Sequence, residues 1–101
     1  MKTLMLKVTH VNPEEARKEI ILAIKGELER LKSLKDELMK KLQQLAFKYG
    51  TSIGNLEKEL LRYDNPESDL NWTDFVAIRD MLAFVEKRIK VLEDFLKSNE
   101  A

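Results

Sequence analysis

Hydrophobic and polar residues follow two different periods along this chain. Over residues 3–8, Leu4, Leu6 and Val8 fall on one side of an extended backbone and Thr3, Met5 and Lys7 on the other. Period two is the signature of a short strand. A single strand leaves its backbone groups unpaired, and no second strand pattern follows, so the expected partner of this strand is another chain. From residue 13 the period becomes helical. Asn12-Pro13-Glu14-Glu15 offers an N-cap, a proline suited to the first helical position and two carboxylates at the positive end of the helix dipole. Nothing breaks the pattern before Tyr49-Gly50, so a helix is expected over 13–49, about 55 Å long at 1.5 Å per residue.

Within that helix Ile20, Ile24, Leu28, Leu31, Leu34, Leu38, Leu42, Leu45 and Tyr49 form a near-heptad seam, irregular around Leu31–Leu34. Ile21, Leu22, Met39 and Ala46 widen it. Gly26, at a cost of ~1 kcal/mol relative to Ala, marks either a bend or a close helix crossing. Gly50-Thr51-Ser52 reads as a C′ glycine followed by an N-cap, and a short helix follows over 52–62 with Ile53, Leu56 and Leu60 on one face. The polar cluster around Asn65-Pro66 gives a loop over 63–70. The last helix is expected to begin at Asn71 or Thr73 and to span 71–97. Its seam of Phe75, Ile78, Leu82, Val85, Ile89, Leu92 and Leu96 alternates steps of three and four and is the most regular heptad in the chain. Ala77, Met81, Phe84, Val91 and Phe95 form a second apolar line beside it. A face that wide calls for two neighbours.

The expected fold is all-α: a single domain, residues 1–101, built as a long antiparallel helical hairpin with a short connecting helix and a short N-terminal β-strand. Two helices bury little, so oligomerisation, as a dimer in the first instance, would complete the bundle. Ile78, Leu82, Val85, Ile89 and Leu92 are the expected oligomer core.

Composition narrows the function classes. The 101 residues hold 18 Lys+Arg against 18 Asp+Glu, one His and no Cys. Without cysteine there is no disulfide framework, thiolate metal site or thiol nucleophile. A zero net charge argues against wrapping nucleic acid. It is nevertheless a sum of opposed parts: residues 1–62 carry 13 basic and 9 acidic side chains, residues 63–101 carry 5 and 9. Opposed charge favours antiparallel pairing of the two long helices. No apolar run approaches the ~20 residues of a membrane span, and the first residues lack signal-peptide architecture. A soluble, cytoplasmic protein is the expectation.

Candidate chemistry is sparse. His10, the only imidazole, stands between strand and helix without convergent partners. No Glu-x-x-His or His-x-x-x-His pair exists to ligate a bundle metal. The carboxylates mostly have a Lys or Arg one turn away, as in Glu14–Lys18 and Asp36–Lys40, which is ordinary helix-surface pairing. The serines lack a glycine-rich elbow or phosphate loop. The expectation is therefore no enzyme, no catalytic residue, no cofactor and no metal. Trp72, with Phe75 one turn on, reads as a hydrophobic plug at the end of the hairpin or as a partner-docking anchor. With Leu4, Leu6 and Val8, these two aromatics make up the candidate partner-binding set.

Strand followed by helices resembles the ribbon-helix-helix DNA-binding proteins, although Thr3, Met5 and Lys7 are feeble base readers and the first helix is too long for that fold. A broader resemblance rests on Phe47-Lys48-Tyr49-Gly50-Thr51-Ser52, on the acidic start at Asn12-Pro13-Glu14-Glu15 and on Asp69-Leu70-Asn71-Trp72. In these the chain resembles small helical proteins, mostly of thermophilic archaea, that are predicted to be antitoxin-like members of toxin–antitoxin pairs. The similarity covers most of the chain through short motifs. It implies a partner that is a small nuclease-like toxin, with its active site covered by this chain. High Lys and Glu content agrees with a thermophilic source. The reading from sequence is thus a protein-interaction module, antitoxin-like, with a self-associating coiled-coil bundle as the alternative and a ribbon-type DNA regulator behind both.

Overall fold

A computed structural model of the protein describes residues 12–100. The expected strand with Leu4, Leu6 and Val8, and also His10, lie outside the described residues. Helix α1 spans Pro13–Lys48. The Asn12 side chain caps it, accepting a hydrogen bond from the Glu14 N–H at 2.9 Å, with Pro13 in the first turn. At its other end the Thr51 N–H donates to the Ala46 carbonyl and the Gly50 N–H to the Phe47 carbonyl, both at 3.0 Å. This is a Schellman closure, and Gly50 has the φ of +64° that the closure demands.

The connection is shorter and more helical than the sequence pattern implies. Ile53–Asn55 form a 3₁₀ turn, and helix α2 follows over Leu56–Leu61. Helix α3 spans Pro66–Glu100, so the loop expected over 63–70 ends at Asn65. Asn65 is the reason. Its side chain accepts from the Ser68 N–H at 2.8 Å, while Ser68 Oγ accepts from the Asn65 N–H at 3.2 Å. The two residues cap each other as a capping box, with Pro66 in the first helical position. Pro66 therefore opens a helix here and does not prevent one. Ser68 Oγ also donates to the Asn65 carbonyl, and Ser68 is buried with every bond made. Replacing Asn65 by Ala is expected to cost ~1 kcal/mol and to fray the turn as far as Leu70. A lower thermal midpoint with faster amide exchange at Glu67 and Ser68 would register it.

Helices α1 and α3 lie antiparallel, in a molecule 62 × 32 × 15 Å. Cross-links mark the register from one end to the other. The Arg17 guanidinium donates to the Asn99 carbonyl, Lys32 faces Glu93 at 3.7 Å, the Asn71 amide donates to Tyr49 Oη at 2.7 Å, and Lys48 meets Glu67 at 2.6 Å. The hydrogen bond to Glu67 holds the Lys48 ammonium above its ordinary pKa and the Glu67 carboxyl below its own. The pair thus supports the fold at full strength between the ordinary carboxylate and lysine ranges. Acid removes that support as Glu67 protonates at its lowered value, and alkali removes it as Lys48 deprotonates at its raised one. Both groups are exposed, so salt weakens the pair.

The core runs along the α1–α3 seam and thickens at the closed end. From α1 it takes Leu28, Leu31, Leu38, Leu42 and Ala46. From α3 it takes Phe75, Leu82, Val85, Ile89 and Leu96. Leu56 and Leu60 of α2 complete it. Two expectations need correcting on α1. Ile20 is 54% exposed, because the seam drifts off the contact face toward the open end. A Cβ on Gly26 would meet nothing within 4 Å, so no close helix crossing lies there.

Candidate association face

The α3 heptad is used inside the chain. Leu82, Val85 and Ile89 are buried, and Ile78 and Leu92 pack half-buried beside them. These five residues, expected as an oligomer core, face α1 of the same chain, since α1 reaches the whole length of α3 and covers that side. Of the expected docking anchors, Phe75 is buried and Trp72 half-buried, their rings 5.8 Å apart. Arg79 lies over the Phe75 ring at 5.6 Å and reaches Glu57 of α2 at 3.6 Å. The aromatic pair is therefore built into the closed end of the hairpin, in the manner of a plug.

What remains open on α3 is its second apolar line. Phe84 is 67% exposed, and Met81, Val91 and Phe95 are exposed as well. Because α3 begins at Pro66, the line extends back to Leu70, which is also exposed. The full series of Leu70, Asp74, Ala77, Met81, Phe84, Arg88, Val91 and Phe95 alternates steps of four and three without a break, a second complete heptad stripe. The sequence pattern marks its middle. The stripe's first turn, at Leu70, falls within the polar stretch 63–70, whose pattern predicts a loop. On the α1 side the stripe borders shallow open grooves, lined near Ala77 by Lys41 and Leu45 and near Phe95 by Ala16 and Ile20.

Elsewhere the surface offers little for chemistry. Among the described residues no group of His, Cys, Asp or Glu is placed to hold a metal ion, no buried side-chain polar atom lacks a partner, and no helix is long and apolar enough to cross a membrane. Comparison with protein-family models, with curated proteins and with solved structures gives no match.

Proposed function

We propose that this chain is a non-enzymatic protein-association module whose working surface is the outer stripe of α3, and that it works first as a homodimer completing a helical bundle. One observation carries the reading: Met81, Phe84, Val91 and Phe95 stand exposed on one heptad stripe of a helix whose other stripe is already buried. Contiguous exposed apolar residues at regular spacing mark an interaction site more often than a solvated face. Two helices in a layer 15 Å thin gain a second layer by such association.

Replacing Phe84 and Val91 together by Asp is expected to abolish association while leaving helicity intact, because both side chains are exposed in the hairpin. Light scattering on the parent should give a mass above the 11.8 kDa of one chain, and on the variant the mass of one chain. A variant that associates as the parent does would remove this surface from consideration.

A heterologous partner belongs to the antitoxin-like reading. It is supported by two partly open aromatics near the closed end, Trp72, half-buried beside Phe75, and the exposed Tyr63, whose ring lies 5.5 Å from that of Tyr49. That reading is tested by co-expression with a small nuclease-like protein encoded by a neighbouring gene, and it fails if toxicity is the same with and without this chain.

A further inference from the structure

We propose that the α3 stripe is the seam of a symmetric antiparallel dimer in one specific register, with Met81 against the partner's Phe84. The proposal rests on the reading of that face as an association surface and names its occupant, a second copy of this chain.

The charges on and beside the stripe select this arrangement. In a parallel pair each position meets itself, so Asp74 would face the partner's Asp74 and Arg88 the partner's Arg88, with like charges in the seam. Antiparallel pairing about a two-fold axis between positions 81 and 84 removes both clashes. Met81 and Phe84 then face each other twice across the axis. Leu70 meets the partner's Phe95 at either end. Arg88 lies over the partner's Ala77, whose single methyl leaves room for the arginine stem, and its guanidinium reaches the partner's Asp74 one helical turn away.

The outer flank of the stripe gives an independent check. The inner flank, Ile78, Val85 and Leu92, packs against α1, so only the outer flank of Thr73, Asp80, Lys87 and Asp94 is free to meet a partner's flank. All four are exposed. In antiparallel heptads the two outer flanks run side by side. In the register fixed by the apolar residues, Asp80 falls opposite the partner's Lys87 and, by symmetry, Lys87 opposite the partner's Asp80. Thr73 falls opposite the partner's Asp94. No like-charged pair arises. Among the described residues the ion-pair partner of Asp80 is Arg79, whose Nε lies 3.5 Å from one carboxylate oxygen, which leaves the carboxylate able to accept from outside. The register that buries the apolar residues is thus also the one that pairs the charges.

The test is a charge-reversal cycle read by sedimentation equilibrium on the full chain. Asp80→Lys alone and Lys87→Asp alone each turn two attractive contacts per dimer into repulsive ones and should weaken dimerisation on the order of ten-fold. Asp80→Lys with Lys87→Asp should restore it to within a few-fold of the parent. Both substitutions are at exposed positions, and unchanged helical circular dichroism of all three variants confirms that the fold is intact. A parent chain that stays monomeric at millimolar concentration overturns the proposal. So does a double reversal no better than its weaker single. If Phe84→Asp nevertheless makes the chain monomeric, the α3 face stands as the association surface and only the register is lost. If Phe84→Asp dimerises as the parent does, both fall together.

Discussion

A chain carrying Leu82→Asp and Ile89→Asp is expected not to fold. Both side chains are buried in the α1–α3 seam, one turn on either side of Val85, which is more deeply buried still. Losing each large apolar side chain costs ~2–5 kcal/mol, and a carboxylate in its place adds the cost of stranding an unpaired charge against leucines. A domain of this size has about 5–15 kcal/mol in total to lose, so the double variant exceeds the margin. Circular dichroism at 222 nm should fall to a coil-like signal with no cooperative melt. The contrast with Phe84 is sharp: an Asp at that position, on the same helix but on its open stripe, should leave the melt in place. Retention of a cooperative transition by the Leu82/Ile89 variant would mean that the seam is not an intrachain core.

The second large effect is expected at Leu56. It has no exposed surface at all, whereas Leu61 in the same six-residue helix is 65% exposed. A helix this short has no stability of its own. It is held by Leu56 and Leu60 pressing into the closed end of the hairpin. Leu56→Ala should therefore cost ~2–5 kcal/mol and lower the thermal midpoint by about 10–25 °C for a domain near 100 residues. Leu61→Ala should change stability by less than ~0.5 kcal/mol. Equal melting temperatures for the two variants would contradict the packing of α2.

Asn-Pro-Glu occurs twice in this chain, at residues 12–14 and 65–67, and both copies start a long helix. The first is legible because a long apolar pattern follows it. The second sits amid Asp64, Ser68 and Asp69, where polar density reads as loop. The deciding interaction, Asn65 and Ser68 capping one another, joins residues three apart and shows only when both side-chain bonds are considered at once. The C-terminal turn of α1 is legible at once, because Gly50 is needed there for a left-handed φ and little else satisfies it.

The heptads are readable in the sequence and their employment is not. Periodicity assigns residues to faces of a helix. It does not say which face meets the same chain, so Ile78 through Leu92 fitted an oligomer core as well as a hairpin core. The length of α1 decides between them: it runs alongside nearly all of α3 and takes the better of the two stripes. The weaker stripe, interrupted by Asp74 and Arg88 and thinned at Ala77, is left outside. Those interruptions would be defects in a core. In a paired seam they are what distinguishes one alignment from another.

The pairing of Arg17 with Asn99 has a mechanical consequence. The start of α1 and the finish of α3 sit side by side at the end of the molecule opposite α2. Tension drawn between those two points does not shear the seam, where every contact along the hairpin would have to fail together. It unzips the hairpin turn by turn, each step opposed only by the few side chains at the fork. Resistance is least among the half-exposed isoleucines near the open end and greatest where Leu56, Leu60 and Phe75 converge. The fold is thus a soft clasp with its catch at the far end.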